Sequence, residues 1–345
     1  MRAEVLTAPA GDVPRWAGAV LCRDVLDADQ HVVLSKGHRL DPDDAPALAA
    51  AAPVALHVVW LDEGDVDEDT AALRLAQMVA GSGADFHRPV TSQVRLSAAW
   101  RGLAQVDAAI LAAINALDGI TIFTIADGTP VERGATLAGA KITPLAIPGS
   151  VLNEAEAVAR SVSEGRAVRV QPFLPLRVSA VVRQAVDAEA RQRFEASLRR
   201  RVSWLGGTVE RIGYAADRDA ARRALLEATP GADLLLVVGV SSVDPLEGTW
   251  RDLLDAGASV VRRGLPVHPG SSYWVVTLRD ATVIGVGSCG MFSRRSALDL
   301  LLLRSFAGQP LDGQFLAGLG HGGLLQSART WRIPAYDRQV ETDER

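Results

Sequence analysis

The sequence predicts an α/β protein of two domains, in which an α+β module precedes a three-layer α/β domain with a mostly parallel sheet. The chain has 345 residues, of which 48% are hydrophobic, so it is long enough to build two cores. From residue 176 onward, short apolar runs alternate regularly with helix-forming segments, which is typical of βαβ units. The run ADLLLVVGV at 232–240 is continuously apolar and indicates a strand buried on both faces of a parallel sheet.

A segment rich in proline predicts the domain boundary. GRAVRVQPFLP, with Pro172 and Pro175, separates two stretches of different patterning and is typical of a linker. We therefore predict an N-terminal module over 1–172, an α/β domain over 173–328 and a C-terminal tail over 329–345.

In the first domain, short β-branched runs alternate with helix signals such as an acidic first turn and a glycine stop. The predicted strands are 17–21, 31–34, 54–61, 93–98, 120–125 and 136–147. The predicted helices are 41–51, 67–81, 106–115 and 150–164.

The second domain shows the regular alternation. Its predicted strands are 176–182, 208–215, 232–240, 258–267, 273–280 and 281–286. Its predicted helices are 188–205, 217–228, 249–255 and a last helix that ends near Gly308.

Composition argues against several classes of protein. The formal net charge is −5, which does not fit a nucleic-acid footprint. No uninterrupted apolar run reaches about 18 residues, so no membrane span is expected. The N-terminus lacks the apolar core of a signal peptide, and Cys22 and Cys289 are too far apart in the sequence for a metal or redox motif. We expect a cytoplasmic protein.

A glycine-rich turn before the last helix indicates an anion site. Gly285, Gly287 and Gly290 have the spacing G-x-G-x-x-G, and Ser288 and Ser293 are candidate N-caps. Such a turn exposes amide groups at the positive end of a helix dipole. Arg294 and Arg295 are expected in the first helical turn, where the dipole disfavours cations, and an anionic ligand would remove that conflict. A dinucleotide fingerprint would need a further strand after this helix, and none is predicted. A tight turn that only lets strand and helix pack closely is the structural alternative.

Three loops of small residues are expected to converge, because ligands of open α/β sheets bind beyond the carboxyl ends of the strands. They are 239–247, 268–272 and 285–290. Asp244 in the first loop is a candidate Mg²⁺ ligand or catalytic carboxylate, or else an N-cap or Asx-turn residue assisted by Pro245. Lys141 is either a surface lysine or a phosphate contact. The residues alone leave both choices open.

At these loops the sequence resembles the molybdopterin-binding domain of molybdenum-cofactor biosynthesis proteins, and bacterial molybdopterin-binding proteins in particular. Three segments of residues 176–325 carry the resemblance: ADLLLVVGVSSVD, RRGLPVHPGSSYWVVTL and VIGVGSCG. Before them, KGHRL (36–40), GDVDEDTAALRLAQMVAG (64–81) and NALDGITIFTI…VERGATLAGAKITPLAIPG (115–149) are similar to the family's N-terminal module, and AGLGHGGLL (317–325) is similar to its end.

The resemblance implies that molybdopterin or the molybdenum cofactor binds with its anionic end among the three loops. Carried over to this chain, the ligand-binding residues are Gly239, Ser241, Ser242, Pro269, Gly270, Ser271, Gly287, Ser288 and Gly290. The family's position for magnesium or catalysis falls on Asp244.

The sequence departs from the active enzymes of the family at these loops. GVSS stands where adenylyltransferases have G-G-T-G, and HPGSS and GVGSCG stand where molybdotransferases have K-P-G-K-P and P-G-N-P. The leading expectation is therefore an accessory protein that binds the cofactor for biosynthesis or for delivery to a molybdoenzyme or a cofactor nucleotidyltransferase.

Three alternatives remain. The first is an Mg²⁺-dependent adenylyltransferase or molybdotransferase, for which Asp118 and Asp127 are further candidate carboxylates. The second is a nucleotide-dependent oxidoreductase, and the third is a scaffold that has lost its ligand. The apolar strands and helices also suit a homo-oligomer, and no nucleic-acid or membrane partner is expected.

Overall fold

The computed structural model describes residues 1–7, 13–53, 55–90, 92–161, 166–215, 217–240, 248–288 and 295–325. The chain divides into two compact units. The first comprises 1–99, 106–127 and 134–169, and the second comprises 100–105, 128–133 and the chain from 170 onward. Mixed helices and sheets confirm the α/β class. The predicted tail 329–345 lies outside the described residues.

The strands of the N-terminal half are short, and those from β1 to β13 pair antiparallel. They are β1 (Arg2–Thr7), β2 (Val20–Leu21), β3 (Val25–Leu26), β4 (Val32–Leu34), β5 (Ala55–Trp60), β6 (Asp65–Asp67), β7 (Ala84–Phe86), β8 (Val94–Ala98), β9 (Gly102–Val106), β10 (Ile120–Thr124), β11 (Pro130–Val131), β12 (Thr136–Ile142), β13 (Ala146–Pro148) and β14 (Val168–Pro172). The largest sheet has the order β10-β12-β8-β7, and β1-β5-β2 and β11-β9-β14 form three-stranded sheets.

The helices of the first unit are α1 (Val13–Trp16), α2 (Ala45–Ala51), α3 (Glu68–Val79), α4 (Ala108–Asn115) and α5 (Gly149–Arg160). Their starts follow local chemistry. The carboxylate of Asp67 accepts hydrogen bonds from two amides of the first turn of α3, and that of Asp107 does the same for α4, which satisfies donors that have no partner within the helix. One face of α3 is fully buried.

The second unit is built on a six-stranded sheet of order β16-β15-β17-β20-β19-β18. Its strands are β15 (Arg177–Val182), β16 (Thr208–Tyr214), β17 (Leu234–Val238), β18 (Ser259–Arg263), β19 (Trp274–Leu278) and β20 (Ala281–Val286). The first four strands in the sheet order are parallel, whereas β19 is antiparallel to both of its neighbours. The carboxyl end of β20 therefore lies beside the start of β19.

Helices α6 (Ala188–Trp204), α7 (Arg218–Ala228), α8 (Gly248–Asp255), α9 (Ala297–Phe306) and α10 (Gly313–Gly318) complete the second unit. Alternate residues of β17 belong to different clusters: Leu234 and Leu236 pack with residues of α6 and α9, and Leu235 packs with residues of α7 and α8. Because successive side chains of a strand point to opposite faces, these two clusters lie on opposite sides of β17.

The predicted elements differ from the observed ones chiefly where strands are short. The predicted strand 136–147 is divided into β12 and β13 by a turn at 143–145. The sequence does not predict β1, β3, β6, β7, β9, β11 or β14. In the described part of the chain, no helix is both long and apolar enough to cross a bilayer.

Candidate functional site

The candidate site lies at the edge of the second unit's sheet where its parallel strands end. Strands β15, β17 and β20 end at residues 182, 238 and 286, which are adjacent in the pairing register. The segment before β19 reaches the same edge because Trp274 pairs with Gly285. The loops that follow these strands are distant in sequence but begin side by side along this edge of the sheet, as expected for a site in an α/β sheet.

Gln184 connects two of these loops. The hydroxyl of Ser288 donates to Gln184 Oε1 at 2.6 Å. A Cβ placed on Gly239 would lie 3.0 Å from the same oxygen, and Gly239 has a φ of +82°. Glycine is therefore suited to this position for two reasons, its left-handed backbone and the nearness of the Gln184 side chain.

Sequence reasoning did not include Gln184 among the site residues. The signal that could have found it is its position, since it follows the end of the predicted strand 176–182 and ligands bind beyond such ends.

The second loop is engaged mainly in packing. Pro269 and Gly270 are buried, and the Pro269 carbonyl accepts from the amide of Ala297 at 2.9 Å. Gly270 has a φ of +122°, and a Cβ there would lie 2.4 Å from the Cβ of Ala297. Of the three residues predicted here, Ser271 is the exposed one.

The N-terminus of α9 is capped by its own chain. Ser296 is the N-cap and forms a capping box with Asp299, whose carboxylate accepts from the Ser296 amide at 2.9 Å. Ser296 is 1% exposed and Asp299 is fully buried. The carbonyl of Pro269 accepts a hydrogen bond from the amide of Ala297, the residue after the N-cap. The amides of the first turn therefore already have acceptors.

These contacts correct the predicted N-cap of the last helix. The expected N-caps were Ser288 and Ser293, but α9 starts at Ala297, and Ser288 belongs to the preceding turn. Ser293 and Arg294 lie outside the described residues, and Arg295 precedes the N-cap instead of lying in the first turn. The first turn of α9 is thus capped by groups of its own chain.

Buried charge strengthens this cap. Arg201 of α6 donates from Nε to Asp299 Oδ1 at 2.8 Å, and its side chain is 9% exposed. A second guanidinium nitrogen of Arg201 contacts the Ser197 hydroxyl. Breaking such a pair on one side leaves an uncompensated buried charge, so the pair holds α6 and the start of α9 together.

The glycines of the G-x-G-x-x-G motif have different roles. Gly285 lies inside β20 opposite Trp274, and Gly287 is buried just after the strand. Gly285 therefore does not belong to a phosphate-binding turn, and no strand follows α9 in the residues described up to 325. Both observations count against a dinucleotide-binding fingerprint.

The loop containing Asp244 lies outside the described residues, as do Ser241, Ser242 and Gly290. Asp127, a further candidate carboxylate, accepts from the amide of Val106 at 2.9 Å. Among the residues that the structure describes, no group of three or more His, Cys, Asp or Glu side chains is arranged to hold a metal ion.

Tyr214, at the end of β16 on the same sheet edge, has a strongly raised pKa. Burial and the hydrogen bond from its hydroxyl to Glu195 raise the pKa of Tyr214 to about 12, because both disfavour the phenolate. The guanidinium of Arg191 lies 4.5 Å from the ring centroid and lowers the pKa by a smaller amount. Tyr214 is therefore a neutral hydrogen-bonding group at physiological pH.

No protein-family model matches the sequence, and no curated protein matches it. Among the solved structures that match is the molybdopterin biosynthesis MoeA protein from Pyrococcus horikosii. It is 12% identical to this chain, and the alignment covers 90% of this chain and 76% of that one. The TM-score is 0.31, a value that does not by itself define a shared fold.

Proposed function

We propose that this chain binds a molybdopterin-type ligand and acts as an accessory protein in molybdenum-cofactor biosynthesis or delivery. The ligand class comes from the order and spacing of the three loop segments, which resemble the molybdopterin-binding domain. The location is supported by the contact between Ser288 and Gln184 above Gly239, because it joins loops that follow different parallel strands.

In this proposal the chain supplies a preformed polar edge. Ser271 and Ser288 are exposed and offer hydroxyl groups to an anionic or heteroaromatic ligand, and the Gln184 amide holds Ser288 in place. Hydroxyl and backbone amide groups bind phosphate without supplying a catalytic proton, which fits a carrier better than a transferase.

The transferase alternative depends on magnesium. It requires Asp244 to hold the ion or to direct a nucleophile. The two functions differ in a measurable way, because a carrier binds its ligand without the metal.

Calorimetric titration of the full chain with molybdopterin and with adenylylated molybdopterin tests the proposal, with and without Mg²⁺. We expect binding that persists in a chelator and in Asp244→Ala. Gln184→Ala should weaken binding about tenfold, since one positioned hydrogen bond is lost. Gln192→Ala is the matched control, because Gln192 is exposed on α6, and it should bind like the parent chain.

Two results would overturn this assignment. Binding that disappears without Mg²⁺ or in Asp244→Ala would favour the transferase, and turnover would then be measured. No binding of either form would refute a molybdopterin site, provided that the circular dichroism of the protein shows that it is folded.

A further inference from the structure

The first unit contains a cluster of basic side chains that the molybdopterin proposal does not use. His87, Arg88 and Arg95 line a cavity of about 400 Å³ together with Val90, Gln93 and Ser97. The side chains of His87, Arg88 and Arg95 are all exposed. We call this set, with Phe123 beside it, the β8 cavity.

The two arginines of the β8 cavity contrast with those arginines of the chain that are paired with carboxylates. In three such pairs, Arg74 with Glu156, Arg218 with Asp252 and Arg211 with Glu227, the nitrogen and oxygen atoms lie 2.7–3.4 Å apart. Arg88 and Arg95 form no ion pair with any residue that the structure describes. In a chain with a net charge of −5, two such cations at one concavity form a local positive potential.

An aromatic ring borders this cavity. Phe123 is 49% exposed, so part of its ring is accessible to a ligand. A Cβ on Gly139 would lie 2.5 Å from Phe123 Cζ and 2.9 Å from Gln93 Nε2. The ring and the Gln93 amide therefore share the space above Gly139, so Phe123 lies at the rim of the cavity and leaves part of its ring open to solvent.

The strand register fixes the spacing of ring and charge. Gly139 of β12 is paired with Phe123 of β10 on one side and with Arg95 of β8 on the other. Adjacent strands lie about 4.8 Å apart, so the backbones of Phe123 and Arg95 are separated by about 10 Å. This separation is comparable to that between the base and the phosphate groups of a nucleotide.

We propose that the β8 cavity binds a small phosphorylated ligand with a planar ring, of the nucleotide class, with its phosphate on Arg88 and Arg95 and its ring against Phe123. Arginine forms bidentate hydrogen bonds with phosphate, and an aromatic side chain stacks on any base. The cavity has the volume of a small-molecule site. Asp85 lies on the same sheet face opposite Ser97 and disfavours a long polyanion. The inference is independent of the molybdopterin proposal, because every residue involved lies in the first unit.

Equilibrium dialysis of the full chain with labelled ATP tests this inference, and unlabelled pyrophosphate serves as competitor. We expect saturable binding with one site per chain. Arg95→Ala and Arg88→Ala should each weaken it by about tenfold or more, since each removes a charge-assisted contact. Arg223→Ala is the matched control, because Arg223 is exposed on α7 in the other unit.

Phe123→Leu separates ring recognition from phosphate recognition. It should weaken ATP binding and leave the affinity for pyrophosphate unchanged. Equal binding of ATP by the parent chain and Arg95→Ala would overturn the inference, and so would the absence of ATP binding. A single-stranded oligonucleotide that binds when ATP does not would overturn it as well. Ser288→Ala should leave ATP binding unchanged, so failure here is distinct from failure of the molybdopterin site.

Discussion

The indole of Trp274 lies directly against Gly285, its partner across the antiparallel pairing of β19 and β20. A Cβ on Gly285 would lie 1.9 Å from Trp274 Cε2, and Trp274 is 1% exposed. The first glycine of the G-x-G-x-x-G motif is thus required by the packing of a buried tryptophan. Gly285 is thus part of the strand that leads to the candidate site and does not itself belong to the loop that would contact a ligand.

Gly285→Ala should destabilise the protein by about 1–3 kcal/mol or more, because the added methyl group overpacks a core in which the indole has no free space. Urea unfolding followed by circular dichroism measures the change. Gly313→Ala is the control, since a Cβ there meets no atom within 4 Å, and it should be neutral or stabilising. Equal stability of the two variants would show that Trp274 does not restrict this position.

Asp299→Ala should cost about 3–5 kcal/mol of unfolding free energy, because it leaves the buried guanidinium of Arg201 without its carboxylate. The same urea titration applies. Glu189→Ala breaks a pair with Arg193 in which both side chains are largely exposed, and we expect a change of about 0.5 kcal/mol or less. If both substitutions cost the same, the buried pair does not stabilise α9.

Ser296→Ala and Ser288→Ala should have opposite effects. Removing the N-cap at 296 should reduce stability by about 1 kcal/mol without changing molybdopterin affinity, because the Ser296 hydroxyl is buried and accepts from the helix instead of facing a ligand. Removing the exposed hydroxyl at 288 should weaken molybdopterin binding with little loss of stability. Thermal unfolding and calorimetric titration of both variants provide the comparison, and loss of affinity in Ser296→Ala would argue for an anion site at the helix N-terminus.

Alkaline pH should destabilise the second unit through Tyr214. Since its pKa in the folded chain is about 12 and its ordinary value is 10.0, the folded state holds this proton more tightly than the unfolded state. The protonated Tyr214 side chain therefore stabilises the folded state fully below pH 10, and this stabilisation is lost as the pH rises towards 12. Unfolding measured across this range should show the loss, and Tyr214→Phe should remove that part of the pH dependence. An ultraviolet titration in which Glu195→Gln leaves the phenolate transition unchanged would contradict the part of the shift assigned to Glu195 and would leave burial as its cause.

The α/β part of the fold was predictable because its elements are separated by clear changes of hydrophobic pattern. Helix α7 was expected over 217–228 and is found at Arg218–Ala228, and the strand expected over 208–215 is Thr208–Tyr214. In contrast, β9 and β11 were missed. They are short, and β11 begins with a proline that reads as part of a turn. Their pairing is a long-range property that local patterns do not contain.

The candidate site was less predictable, since its details depend on register. Nothing near Gly285 in the sequence indicates that Trp274 faces it. The true N-cap, Ser296, competes in the sequence with Ser288 and Ser293, which satisfy the same local rule. The contact of Gln184 with Ser288 spans 104 residues and follows only once β15, β17 and β20 are known to be neighbours.

The cap of α9 has a consequence for how this chain responds to ions in solution. The carboxylate of Asp299 is part of α9 and caps the N-terminus of the same helix. Because it is tethered, it acts at an effective concentration of the order of millimolar or more. A dissolved phosphate ion would have to displace a carboxylate that cannot diffuse away and that is also bound to Arg201. The positive end of this helix is therefore neutralised by the chain's own carboxylate, and in the proposed site a charged ligand would be recognised by the loops around Gln184 instead of by the helix.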